Sequence, residues 1–405
     1  MKLRTLALAG AMTMAMTSAA VADCAFRNDV PLKSLTAGFE AWKAVTEAMA
    51  ECGNFQAELD QEFRTKQPAA FAADPALYHI GGVANATLVP LLNEGTIRPL
   101  DDLVARYGQN LTPNQLIKVD GQVVAVAMMV NTQHLMYRAD ILDDLGIAVP
   151  ATYDEVLAAA EKIRAAGVVE YPLGATFKTG WNLGEDFINT YLGFGGAFFG
   201  AGNQPAINND QGVATLELMK RLTEYMDPEY LVSDSTYVQQ QFQQGKIAMA
   251  NLWASRAGAM DDAGESQVVG KVMMASAPAA VAGGRPASTL WWDGIVIASN
   301  ITDQEAEAAF RVAMEGLDRQ MVQANNDVAV WLVDGFAPGR LSEGAIDTAT
   351  AGAVSYPAGP TMGLMHTALG NNVADFLTGA KDARTTLRDI EAEYLTAARE
   401  AGLVQ

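Results

Sequence analysis

The chain has 405 residues, half of them hydrophobic, and its 27 basic residues stand against 47 acidic ones for a net charge of −20. That balance repels nucleic acid and anionic lipid and so excludes both as partners; it also weighs against a strongly anionic ligand unless a local basic pocket overrides the global field. The length exceeds what one hydrophobic core holds, so two lobes are expected.

Lys2 and Arg4, an apolar stretch over 6–16 and the small residues Ala20-Val21-Ala22 read as a secretory leader over residues 1–22. Cleavage is expected after Ala22, giving a soluble exported protein with no direct membrane insertion. Asp23 stands before Cys24, where a bacterial lipoprotein signal needs a small residue. Cys24 and Cys52 are the two cysteines of the chain. In an oxidising compartment pairing is the simplest reading, two buried free thiols being the alternative. A bond would close a loop of about 28 residues and contribute about 3–4 kcal/mol in the chain-entropy model.

Residues 30–36 predict a first strand, and 38–52 a helix with Phe39, Trp42, Val45 and Met49 along one stripe. Residues 54–59 alternate like a second strand, and 76–83 read as a third that breaks at Gly81-Gly82. Strand–helix–strand alternation implies a parallel sheet with crossover helices. Thr152 and Glu155, just after Pro150, form a capping box, and Thr302 and Glu305 repeat it. Further helices are expected over 212–225 and 383–401. A helix then ends at Phe242, Gly245 takes the left-handed stop, 247–252 reads as a buried strand, and Trp253 is delivered at its end. The elements together point to an α/β fold.

That last segment, with Phe242, Gly245-Lys246, Ala248-Met249 and Trp253, resembles the family-one extracellular solute-binding proteins, the maltose-binding-protein-like receptors of bacterial ABC sugar importers. Other stretches carry the resemblance in the same order. Glu94-Gly95 followed by Pro99-Leu100-Asp101 is similar to a family helix end, and 121–140 to the strand that crosses between lobes and ends here in Tyr137-Arg138-Ala139-Asp140. Gly146, Pro150, Thr152 and Tyr153-Asp154-Glu155 resemble a family signature, and Gly195-Gly196 follows. There are departures. The first strand lacks the usual exposed polar run, the Cys24–Cys52 pair is not a general family feature, and Trp291-Trp292-Asp293-Gly294 stands where many members have Gly-Gly-Trp-Gly.

The resemblance implies a two-lobed periplasmic-binding-protein fold of type II, each lobe a sheet flanked by helices, hinged by crossing strands near 127–131, 290–294 and 330–335. The expected first lobe takes 23–129 and about 292–330, the second 130–291 and about 331–405. The implied protein is a monomeric periplasmic receptor without cofactor or metal. It would bind a neutral mono- or short oligosaccharide in the interlobe cleft and deliver it to an inner-membrane ABC permease. Such a receptor makes no covalent step; ligand touching both lobes shifts an open–closed equilibrium.

A sugar pocket combines aromatic faces with a few fixed polar groups. Trp253 matches the family's aromatic position, and Asn131 aligns with a position that binds sugar hydroxyls from the crossing. Asn85 falls in the loop after the third strand, and Trp181, with Glu185 and Asp186 nearby, resembles the second lobe's aromatic contact. Trp291 and Trp292 point to opposite faces of a strand, so one of them belongs to the core. Asp293 beside them is a hydroxyl acceptor or a solvated turn carboxylate. Trp331 precedes Gly335-Phe336-Ala337-Pro338, Trp42 lies on an apolar stripe that favours the core, and Arg256 is a donor to an oxygen-rich ligand or a surface ion-pair partner.

The rival readings are weaker. His79, His134 and His366 are dispersed, and neither a Gly-x-Ser-x-Gly elbow nor a His-Glu-x-x-His motif is present, which argues against an exported hydrolase and a metal site. A receptor for a polyol, a sugar phosphate or a betaine-type osmolyte boxed by tryptophans is the runner-up.

Overall fold

The computed structural model describes residues 24–404; the expected leader over 1–22 lies outside the described residues. Among the described residues, twelve strands form two sheets. In chain order they are β1 (Leu32–Thr36), β2 (Phe55–Leu59), β3 (Ile80–Ala84), β4 (Leu116–Val119), β5 (Gln122–Asn131), β6 (Gln133–Arg138), β7 (Tyr171–Gly174), β8 (Ile247–Trp253), β9 (Val272–Ala275), β10 (Thr289–Ile297), β11 (Val330–Trp331) and β12 (Val354–Ser355).

The first sheet runs β11-β5-β10-β3-β1-β2, with β4 on β5 and β12 on β10. β1 pairs in parallel with β2 and β3, as the alternation of strands and helices requires, and β10 enters antiparallel between β3 and β5. The helix Glu40–Glu51 connects β1 to β2 and buries Trp42, Val45 and Met49 against the sheet. Gly82 allows that close approach: a Cβ there would lie 2.8 Å from the Trp42 ring. Two strands start later than the sequence suggests. Asn28 bonds both the N–H and the C=O of Val30, which holds the chain in a turn before β1. Leu77 donates to Ala70 at 3.0 Å and so is tied back to the preceding helix before β3 begins.

The second sheet is β7-β8-β6-β9, with β6 antiparallel to both its neighbours. Helices Tyr153–Ala166, Trp181–Gly193, Asp210–Thr223, Pro360–Leu377 and Ala383–Glu400 supply its main core. Thr152 and Thr302 cap their helices through Glu155 and Glu305, the reciprocal pattern the sequence implies. The helix expected over 212–225 begins two residues earlier because Asn209 accepts from Gly212 N at 2.8 Å. Helix Ser235–Gln243 ends in Gly245 at φ +70°, which turns the chain into β8.

The fold is therefore α/β with two lobes, each a sheet flanked by helices. Thr132 alone separates β5 of the first sheet from β6 of the second. At the second crossing, Thr289 and Leu290 pair with β12, while Trp291 onward joins β5. At the third, β11 pairs β5, and Leu341 a few residues later packs into the core of β8 and β9. Cys24 and Cys52 form a disulfide that ties the N-terminal segment to the end of the first helix. Among the described residues, no helix is long and apolar enough to cross a membrane.

Candidate ligand-binding cleft

The three crossings bring the ends of β3, β5, β8 and β10 to one place, and a cavity of about 270 Å³ opens there. Its walls come from both lobes. Phe63, Arg64 and Thr87 stand on the first; Lys178, Trp181, Asp234, Trp253 and Arg256 on the second; Asn131, Trp291 and Asp293 lie on the strands between.

Trp253 ends β8 opposite Gln133 of β6 and is 8% exposed. It forms an aromatic wall with Trp181 (ring centroids 6.3 Å, planes 29° apart) and Trp291 (5.9 Å, 89°), while Trp181 and Trp291 are 5.5 Å apart. These separations are those of rings in direct contact, so a guest lies against this wall and not between its members.

The wall is held from behind. Trp291 Nε1–H donates to Glu185 Oε1 at 3.0 Å and to the Thr289 hydroxyl at 2.9 Å. His366 stacks on Trp181 at 5.0 Å, with its Nε2 2.8 Å from the Trp181 carbonyl and its Nδ1 2.8 Å from Tyr356 Oη. A carbonyl only accepts, so Nε2 carries the proton. Burial depresses His366 to about 4, which keeps the ring neutral and leaves Nδ1 to accept from Tyr356.

The floor is polar. Asp293 is buried, and desolvation pushes its carboxyl up to about 7 against the opposing pull of Arg64, Trp42 and Asn131. Asn131 Nδ2 donates to Ser255 Oγ at 3.2 Å, and its Oδ1 accepts from the N–H groups of Thr132 and Ser255. The amide thus pins the turn after Trp253 to the crossing strand. Arg64 lies 4.3 Å over the Trp181 ring from the opposite lobe. Its surface opens on the cleft although protein surrounds it on most sides, and desolvation lowers it from its ordinary value while Asp293, Glu62 and Glu185 oppose. Arg256 Nη1 donates to Gln239 Oε1 at 3.1 Å, and Lys178 pairs with Asp234 at 3.2 Å.

Residues 34–314 match the family described as bacterial extracellular solute-binding protein. The chain belongs to that family. Solved structures share the fold of this solute-binding protein at low identity. The solute-binding protein of an ABC transporter from Agrobacterium radiobacter K84, in complex with ribitol, is 22% identical with a TM-score of 0.81, covering 92% of this chain and 100% of that one. A solute-binding protein from Agrobacterium vitis S4 with bound D-mannitol is 19% identical (TM-score 0.77; 92% and 99% covered). Maltose-bound MalE3 from T. maritima is also 19% identical (0.75; 90% and 99%). The two Agrobacterium proteins are solute-binding proteins of ABC transporters.

Of the residues singled out in the sequence, Trp253, Trp181, Trp291, Asn131, Asp293 and Arg256 line the cavity of this solute-binding protein, and the others stand outside its lining. Trp292 faces the other side of β10 and packs on the first core, as the alternation of a strand requires. Trp331 is buried in that core, its Nε1–H given to Asn325 O at 2.9 Å. Trp42 is buried too, with only its indole N–H turned toward Asp293. Asn85 begins the helix after β3 and reaches the Leu290 carbonyl at 3.4 Å, tying β3 to the crossing. Glu185 is fully buried and acts on the wall through Trp291. Arg64, Lys178 and His366 escaped the sequence reading. Nothing in their local sequence marks them, because Arg64 meets the wall only by packing between lobes, and His366 and Lys178 meet Trp181 and Asp234 only by packing between distant segments of the second lobe. Asp234 had a signal: it is the N-cap of the helix that precedes β8, accepting from Thr236 and Tyr237.

Proposed function

We propose that this solute-binding protein is a periplasmic, monomeric receptor for a small hydroxyl-rich solute, a monosaccharide, short saccharide or polyol, which it delivers to the permease of an ABC importer. The observation that carries the reading is the cavity itself, lined from both lobes by an aromatic wall facing a polar floor. Stacking on Trp253 suits the apolar face of a sugar or an alditol, and Asp293 suits its hydroxyls. The volume of about 270 Å³ lies just below the roughly 300–1,000 Å³ of drug-sized ligand sites, which favours a single sugar or alditol over a long chain. The ribitol and mannitol bound by the two Agrobacterium relatives support the same size class.

Binding acts by closure. A guest that touches Arg64 or Thr87 on one side and Trp253 or Arg256 on the other stabilises the closed arrangement by its differential contacts. The crossing at Thr132 and the Asn131–Ser255 contact make a short hinge that carries no wide, floppy linker. Betaine-type ligands fit less well, because the cation place over Trp181 is already held by Arg64. Thermal-shift screening against alditols, aldoses and short maltodextrins tests the reading. A bound solute raises the melting temperature by mass action, and a folded protein that responds only to betaine-type compounds defeats it.

A further inference from the structure

We infer that the preferred guest carries a carboxylate, as in an aldonate or a uronate, and that Arg64 and Arg256 clamp it from opposite lobes. This rests on the receptor reading above and narrows it. Both guanidinium groups line the same cavity, Arg64 from the helix Phe63–Ala72 of the first lobe and Arg256 from the turn after β8 of the second. Among the described residues, neither is in an ion pair. Arg64 rests on the Phe63 and Trp181 rings, and Arg256 bonds the neutral Gln239.

The acids of the lining do not neutralise them. Asp234 is spent on Lys178 and on its helix cap. Asp293 is raised by burial to about 7, and Glu185 behind the wall to about 8, so both take up protons near neutral pH. Glu62 lies at the exposed rim, and Glu40 and Asp234 reach Arg256 only at longer range. Two free guanidinium forks inside a chain of net charge −20 are the local basic pocket that such a surface would otherwise exclude. A planar carboxylate matches the forked donors in a bidentate manner. A protonated Asp293 then donates to the guest while the two arginines draw the lobes together.

Calorimetry on the purified mature protein at pH 7 tests the inference, comparing D-gluconate with D-glucitol and D-galacturonate with D-galactose, with ribitol, D-mannitol, maltose and glucose 6-phosphate alongside. The expected result is that at least one acid binds tenfold or more tighter than its uncharged counterpart. Raising the salt concentration should weaken the acid selectively. R64Q and R256Q, checked for unchanged melting temperature, should each remove most of that preference by weakening the acid several-fold more than its uncharged counterpart; equal weakening of the two overturns the clamp. If uncharged sugars or alditols bind and neither acid binds tighter, the carboxylate inference is overturned and the receptor reading survives. Tighter binding of glucose 6-phosphate than of either acid also overturns it. If folded protein binds none of the panel, both readings fall.

Discussion

Replacing Glu185 by Gln should stabilise the protein at neutral and alkaline pH, although it alters a fully buried side chain. Glu185 is fully buried, and desolvation, opposed by the hydrogen bonds from Thr289 and Trp291, pushes its carboxyl from 4.5 up to about 8. In the unfolded chain the group ionises near its ordinary value, so between pH 4.5 and 8 the folded state binds more protons than the unfolded one. Stability is therefore lost as pH rises through that window and is level outside it. Charging or neutralising the group inside the fold costs about 3 kcal/mol at pH 7 and about 5 kcal/mol above pH 8, as an upper bound at 1.36 kcal/mol per unit. A glutamine keeps an oxygen where Oε1 accepts from Trp291 and Thr289, and Oε2 has no partner to lose among the described residues. Thermal melting of both proteins from pH 5 to pH 9 should show E185Q close to the parent at pH 5 and increasingly above it toward pH 9. Asp186 and Asp293, each raised to about 7, add to the parent's loss up to pH 7, while His134 and His366, depressed to about 4, offset it up to pH 6.5, so the difference between the two proteins and not the parent's own slope carries the test. A variant that melts lower at every pH, or a gap that does not widen with pH, refutes the argument.

Trp253→Ala should weaken binding of the best solute by roughly 1–3 kcal/mol in calorimetry, the worth of a stacked ring and its buried area; an unchanged dissociation constant removes Trp253 from the contact. Gly294→Ala places a Cβ 2.4 Å from the Val126 carbonyl at the bulge between β10 and β5, so urea denaturation should show a loss of about 1–3 kcal/mol. Replacing both Cys24 and Cys52 by Ser opens a loop of 28 residues; the denaturation midpoint should fall by the equivalent of about 3–4 kcal/mol, and no fall would mean the unfolded chain gains little freedom.

The local devices were legible because they act over three or four residues. The capping boxes at Thr152 and Thr302 and the glycine stop before β8 need only their own side chains and backbone, and each formed where the spacing put it. The strand ending in Trp253 was likewise readable, since a short buried run followed by an aromatic has few ways to fold. The late starts of β1 and β3 were not, because Asn28 and Ala70 capture the neighbouring backbone by bonds that compete with the ladder.

Residue type and chain order were enough to set the α/β class, the two lobes, the family and the cysteines available for pairing. The site needed the tertiary structure. Trp291 faces the cleft and Trp292 the first core because β10 pairs with β5 in one register, and a slip of a single residue would exchange them. Arg64 reaches Trp181 across 117 positions of sequence only because two separately cored lobes meet there. Glu185 and Asp293 owe their raised pKa values to burial, which is a property of everything packed around them and not of the residues on either side in the chain.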